Sequence, residues 1–209
     1  MSSNYCIREI ELTNQYSIRI SQEIESDVGG VVWDSSLVAV YYFLKLGKGY
    51  WQGKNVLELG AGTGACGISL AFLDAKVIMT DLPERMPLLV ENTKNNVTLT
   101  RENIKTFPLD WTSYDKSSVK NIDVVVFIDC IYYINGVKPL IDLLREIDAS
   151  ESYCIYEKRD IGEPAIAQKM FLELVSNHFD ISYVKGEELD SCYSSEDIPV
   201  LRLCRKSGI

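Results

Sequence analysis

The stretch Val56-Leu57-Glu58-Leu59-Gly60-Ala61-Gly62-Thr63-Gly64 constrains the fold more than any other part of this chain. A hydrophobic run suited to a buried strand ends in alternating glycines, and a helix pattern over 65–73 follows at once. Glycine admits positive φ and lets a ligand approach the backbone with no Cβ in the way. The helix behind such a loop presents N–H groups that have no partner within the helix. In doubly wound α/β sheets a loop of this kind after the first strand lies at the crevice where nucleotides bind.

The rest of the chain fits that architecture. Residues 5–12 and 16–24 alternate in the β manner around Thr13-Asn14-Gln15, so they predict a hairpin before the main domain. Gly29-Gly30 breaks the chain before Val31-Val32-Trp33-Asp34, after which 35–46 reads as a helix with one broad buried face and 47–53 as a loop. Strand-like runs at 55–59, 76–80, 103–107, 122–128, 153–156, 179–184 and 200–204 alternate with helix patterns at 65–73, 84–97, 137–147 and 164–177. The unbroken apolar run 122–128 marks a strand buried on both faces. Repeated β-α units imply a mostly parallel sheet, covered by helices on both faces and joined by right-handed crossovers. The last two strands have no helix between them, so one of them is expected to run antiparallel. The expected division is a hairpin extension, 1–28, and one α/β domain, 29–209.

Composition narrows the function. At 209 residues the chain can bury about 70% of its unfolded surface, which removes the need for a disulfide or metal staple. It carries 21 basic and 30 acidic residues, a net charge of −9, a poor match for phosphate-backbone binding. The six cysteines form no C-x-x-C pair and the only histidine is His178, so neither a zinc site nor a facial-triad iron site is expected. His178 falls where a helix pattern gives way to a strand, the usual place for a histidine near a helix C-terminus. There is no basic-then-apolar leader pattern and no apolar run near the roughly 20 residues that span a bilayer. The expected setting is the reducing cytoplasm or nucleus, without membrane contact.

Two nucleotide-like ligands compete for the glycine loop. Gly62-Thr63-Gly64-Ala65-Cys66-Gly67 matches G-x-G-x-x-G, which admits NAD, but that pattern alone is weak. It starts late for a strand that ends near Leu59, and Glu58 beside the loop would repel a pyrophosphate. S-adenosylmethionine has no phosphate; its sulfonium and ammonium suit an acidic strand end. Asp81 comes 21 residues after Gly60, the spacing of an acid that accepts hydrogen bonds from ribose hydroxyls, although Asp is also a good helix N-cap. Asp110-Trp111 follows the third short strand, offering an acceptor for an adenine amine and a ring to stack on it.

Val56–Gly64, Thr80-Asp81-Leu82, Asp110-Trp111 and Asp129-Cys130-Ile131-Tyr132 together resemble the seven-β-strand protein-lysine methyltransferases, over about residues 29–206. Asp129–Tyr133, Tyr156-Glu157-Lys158-Arg159 and Tyr193–Ile198 look most like the branch acting on valosin-containing-protein-type ATPases. The resemblance implies a Rossmann-like seven-stranded sheet with one antiparallel strand and S-adenosyl-L-methionine as cofactor. It also implies a lysine of a non-histone protein substrate, such as such an ATPase or a chaperone; a monomer is expected. The candidate cofactor residues are Trp33, Glu58, Gly60, Ala61, Gly62, Gly64, Asp81, Leu82, Asp110, Trp111 and Ile128, the last falling where relatives often carry a small residue.

The candidate catalytic residues are Asp129, Tyr132 and Tyr133, with no metal. Asp129 follows the fourth strand, which in this fold lies beside the first, and so emerges next to the glycine loop. Its expected role is to accept a hydrogen bond from the target amine and aim its lone pair, with the tyrosines walling the amine; the alternative is that Asp129 caps the next helix. Glu157-Lys158-Arg159 is expected either to frame the substrate entrance or to steady a loop by an ion pair. Two other functions compete: an NAD-linked oxidoreductase, which lacks a Ser/Tyr-x-x-x-Lys set, and a non-catalytic module that keeps the fold. The Asn/Asp-Pro-Pro-Tyr pattern of amino-methylating nucleic-acid enzymes is absent, because Asp129-Cys130-Ile131-Tyr132 occupies its place.

Overall fold

The computed structural model describes residues 5–24 and 29–206. The ends of the expected 1–28 extension, residues 1–4 and 25–28, lie outside the described residues. β1 (Tyr5–Thr13) and β2 (Tyr16–Glu23) form the antiparallel hairpin. A second sheet has seven strands: β3 (Asn55–Leu59), β4 (Lys76–Asp81), β5 (Ile104–Pro108), β6 (Val124–Ile128), β7 (Glu151–Ile155), β8 (Phe179–Tyr183) and β9 (Val200–Arg205). Their spatial order is β5-β4-β3-β6-β7-β9-β8, and only β9 runs against the others. The chain leaves β3 toward one edge and returns to β6 on its other side. That reversal is the switch point of an open α/β sheet, where a crevice forms above the strand ends.

Alternation along the strands sends side chains to two cores. On one face Val56, Val124, Val126 and Ile128 pack under α1 (Asp34–Leu46), α2 (Lys48–Trp51), α3 (Ala65–Phe72) and α4 (Met86–Asn95), together with the hairpin residues Ile18 and Ile20. On the other face Leu57, Leu59, Val125 and Phe127 pack under α6 (Ile134–Glu146) and α7 (Gly162–Val175). β6 is buried at all five positions, as its unbroken apolar run predicts.

Three local expectations are corrected. The 47–53 loop contains α2, because Trp51 must be buried: its indole donates to the Phe43 carbonyl at 3.0 Å and its ring meets Phe43 edge-on at 4.9 Å. The 84–97 helix is broken into a 3-10 turn (Pro83–Arg85), α4 and the short α5 (Val97–Thr100). The break comes at Asn96, whose side chain turns back to the Asn92 carbonyl and across to β2. α6 starts at Ile134, earlier than the 137 expected.

Candidate active site

The glycine loop leaves β3 with positive φ at Gly60 (62°), Gly62 (54°) and Gly64 (82°). A Cβ on Gly60 would come 2.7 Å from the Cys130 Sγ and 3.6 Å from the Trp111 ring, so the loop is pressed against both. Its amides are largely spoken for: Ala61 N–H donates to the Thr80 carbonyl at 2.9 Å, Gly62 N–H to Asp81 Oδ2 at 2.6 Å and Gly64 N–H to the Ala61 carbonyl at 2.8 Å. Asp81 therefore ends β4 with one carboxylate oxygen fastened to the loop, while the other accepts from Leu82 N–H at 2.7 Å. It does not cap the following 3-10 turn, which has no side-chain cap. Burial raises its pKa, and the two amides and Arg85 pull it back.

Glu58 overturns an expectation. Its charge was expected to face a cationic ligand, but the residue is 2% exposed and points to the helix-covered face, in step with Val56. Its carboxyl lies against Gly67 of α3, with Oε2 left without a hydrogen-bond partner. Burial pushes its pKa up to about 8. The acid that stands beside the loop is Asp81.

Asp129 follows β6 in a left-handed conformation, φ 50°, rare for a residue with a Cβ. Its N–H donates to the Ile155 carbonyl of β7 at 2.8 Å, and its Oδ1 accepts from Glu157 N–H at 3.0 Å. Oδ2 accepts a hydrogen bond from the Ser35 hydroxyl at the start of α1. Burial raises its pKa, while Ser35, the Glu157 amide and Arg159 oppose that rise. It does not cap α6, whose N-cap is Tyr133. The first free amide of α6, that of Ile134, goes instead to Glu163 Oε1 of α7 at 2.9 Å.

The tyrosines stand beyond Asp129, their ring centroids 4.6 Å apart and tilted by 60°. Tyr132 is half-buried, and burial raises its phenol pKa so that it stays protonated; Tyr133 is 54% exposed. Cys130 keeps its proton too, because burial first and the charges of Asp81 and Asp129 next push its thiol up. It donates to the Leu59 carbonyl at 3.2 Å behind the loop.

The remaining candidates divide. Trp111 is half-buried and reaches from the glycine loop to within 4.0 Å of where a Gly136 Cβ would stand on α6. Trp33 (37% exposed) and Leu82 (43%) leave much of their side chains open. Asp110 is exposed, and one of its oxygens is held by Thr112 N–H and Oγ1 at 2.8 and 2.7 Å, hydrogen bonds that lower its pKa. Ile128 packs in the core of the first face at 8% exposed. Glu157 and Arg159 pair at 2.7 Å, while Lys158 is tied by its backbone and ammonium to the 196–197 segment. His178 lies just before β8, which runs parallel to β7, so it sits at the opposite edge of the sheet.

Sequence reasoning missed Ser35 and Asn92. Both are polar residues on otherwise apolar helical stripes, Ser35 with Val38, Ala39 and Tyr42, and Asn92 with Leu88 and Leu89. A polar side chain at a core position needs a partner, and that was the legible signal.

The donor set suits S-adenosylmethionine better than a dinucleotide. The carboxylate of Asp81 already takes the loop amide that a pyrophosphate would need, and Asp129 stands at the same edge. Phosphate oxygens would meet repulsion there; a sulfonium or ammonium would not. Among the described residues no group of three or more His, Cys, Asp or Glu is placed to hold a metal, and no helix is long and apolar enough to cross a membrane.

Fold and cleft thus define a Rossmann-like, S-adenosyl-L-methionine-dependent methyltransferase. A glycopeptide N-methyltransferase, MtfA, crystallised with S-adenosyl-L-homocysteine, shares the fold at a TM-score of 0.64 over 83% of this chain and 91% of that one, at 12% identity. The family model described as lysine methyltransferase matches residues 12–178, and the chain belongs to that family. The protein N-lysine methyltransferase METTL21A of Danio rerio is 31% identical over 203 residues, 96% of this chain and 88% of that protein. EEF1A lysine methyltransferase 3 of Xenopus tropicalis is 26% identical over 96% of this chain and 83% of its own length. Methyltransferase-like protein 23 of Dictyostelium discoideum is 34% identical over 61% of this chain; that match spans 58% of its length. The chain is a protein-lysine N-methyltransferase, and S-adenosyl-L-methionine is its cofactor.

Proposed function

We propose that the substrate is a lysine side chain of a folded non-histone protein in the cytoplasm or nucleus, of the valosin-containing-protein-type ATPase or chaperone class. The support is Asp129: a half-buried carboxylate held in a left-handed turn by Ser35 and the Glu157 amide, with two phenols beyond it. A relative named as an EEF1A lysine methyltransferase supports a protein lysine as the methyl acceptor.

Gly60, Ala61, Gly62 and Gly64 would cradle the cofactor, with Asp81 accepting from its ribose, Trp111 against its adenine, Asp110 at the adenine amine, and Trp33 and Leu82 flanking. When bound, the cofactor supplies a methyl carbon made electrophilic by the sulfonium. The protein's task is then to present a neutral, oriented amine. At a reference pKa near 10.4, neutralising a lysine at pH 7.4 costs about 4 kcal/mol. Orientation can lower the barrier by about 7–11 kcal/mol, so positioning is the larger effect. Asp129 accepts one amine hydrogen and directs the lone pair; the proton lost leaves to water. Tyr132 and Tyr133 enclose the amine with aromatic faces, which attract an ammonium or methylammonium by about 0.5–2 kcal/mol.

The test is methyl transfer from labelled S-adenosylmethionine to a panel of such ATPases, chaperones and EEF1A, with the labelled lysine mapped by mass spectrometry. Asp129→Asn keeps the shape and an acceptor for Glu157 N–H. It should lower kcat more than about tenfold while S-adenosylhomocysteine affinity stays within about twofold. Turnover within about threefold of the parent would remove Asp129 from the mechanism.

A further inference from the structure

The N-terminal hairpin is joined to the glycine loop through one side chain. Asn92, on α4, is fully buried. Its Oδ1 accepts from Ser21 N–H at 2.8 Å, and its Nδ2 donates to the Ser21 carbonyl at 3.0 Å and to the Thr63 carbonyl at 2.9 Å. Thr63 lies inside the glycine loop. Asn96 meets the same edge of β2 four residues on. It accepts from Arg19 N–H at 3.0 Å and donates to the Arg19 carbonyl at 2.9 Å, but its third bond goes to the Asn92 carbonyl at 2.8 Å, not to the loop. Two side-chain amides thus take the place of a third strand beside β2, and one of them also grips the loop.

The hairpin reaches the loop from a second side. Glu23 N–H donates to the Gly30 carbonyl at 2.9 Å, Gln22 Oε1 accepts from Val32 N–H at 2.8 Å, and Arg8 Nη1 donates to the Val32 carbonyl at 3.2 Å. These bonds lay the Gly29–Val32 segment over the loop, so that a Cβ on Gly62 would stand 3.2 Å from the Gly29 carbonyl oxygen. At the end of β2, Glu23 pairs with Arg85 at 3.6 Å, just past Asp81.

We propose that the hairpin is a clamp on the cofactor loop, with Asn92 as the positioning residue that transmits it. A hairpin that served only substrate proteins would need no buried bond to Thr63. The clamp fixes the peptide between Gly62 and Gly64, in a loop where three positive φ values over residues 60–64 leave the backbone with little intrinsic preference for one shape. Holding that shape before the ligand arrives lowers the ordering cost of binding. The inference rests on S-adenosylmethionine occupying this loop.

Asn92→Ala and Asn96→Ala each remove three side-chain hydrogen bonds, and only the first cuts the link to the loop. Both should lower the thermal midpoint by similar amounts. Calorimetric affinity for S-adenosylhomocysteine should fall at least about fivefold in Asn92→Ala and less than about twofold in Asn96→Ala. Hydrogen exchange at 60–64 in the ligand-free chain should speed up in the first variant only. With methyl transfer, the KM for S-adenosylmethionine should rise while kcat at saturation holds within about twofold. Equal affinity losses in the two variants, or unchanged exchange at 60–64 in Asn92→Ala, would overturn the clamp. If Asn92→Ala does not fold, Asn92→Ser is judged by the same criteria. A parent chain that fails to bind S-adenosylhomocysteine would refute the cofactor's place, whereas the exchange comparison judges the clamp without ligand.

Discussion

At the scale of single residues, two acids one strand apart show how environment assigns roles. Asp81 and Glu58 both sit near the glycine loop, yet one faces the cleft and the other is shut into the core by strand parity. The folded pKa of Glu58, about 8, lies above its ordinary 4.5. The folded chain therefore holds a proton that the unfolded chain releases, and stability is lost as pH rises from about 4.5 through 8. Asp81 and Asp129 shift in the same direction. Glu58→Gln removes the largest of these ionisations, so its thermal midpoint should fall less than that of the parent between pH 5 and 8. The two midpoints should diverge by an amount equivalent to a few kcal/mol at the upper end. Parallel curves over that range would show that Glu58 does not titrate as its burial dictates.

At the scale of elements, α3 and β3 are fitted to each other through Gly67. Glycine inside a helix costs about 1 kcal/mol relative to alanine, so Gly67→Ala would ordinarily stabilise. Here the added Cβ would overlap Glu58 Oε2 and stand 2.6 Å from Met79 Cγ. The substitution should instead lower stability by about 2 kcal/mol, read as a lower urea midpoint with unchanged slope. A higher midpoint would mean that strand and helix part easily. Most elements were legible because their periodicity is strong: β3 runs over 55–59 as expected, and β9 is the antiparallel strand that the missing crossover demanded. What was not legible depended on partners distant in sequence. Nothing local to 47–53 shows that Trp51 will find Phe43, and nothing local to Glu58 shows that its strand turns it away from the cleft. The glycine loop, Asp81 and Asp129 could be placed from strand ends alone, whereas Ser35 and Asn92 needed the third dimension.

At the scale of the whole molecule, the two edges of the sheet are built for different ends. The cleft lies where β3, β4 and β6 finish. At the other edge, where β7 begins, Glu151 is 6% exposed and accepts from Arg202 Nε at 2.6 Å, from Tyr153 at 3.2 Å and from the Tyr50 hydroxyl. Lys54 joins at 3.5 Å and lies 3.4 Å from the centre of the Tyr50 ring. Burial alone would raise the Glu151 pKa, but Tyr50, Arg202 and Lys54 hold it below the usual range. Its stabilisation is present above the unfolded carboxylate pKa and is lost as pH falls through the folded one. With Glu58 acting in the opposite sense, thermal stability should peak on the acid side of neutrality. Glu151→Gln should flatten only the acid limb and leave S-adenosylhomocysteine affinity within about twofold; a change in affinity would mean that the two edges are coupled. The hairpin carries a consequence for biogenesis. Ser21 leaves the ribosome 71 residues ahead of Asn92, and Arg19 leaves 77 ahead of Asn96. At about 5–20 residues per second that interval is roughly 4–15 s, during which the edge of a nascent two-stranded ribbon, barely stable alone, lacks both of the side-chain amides that finally cap it.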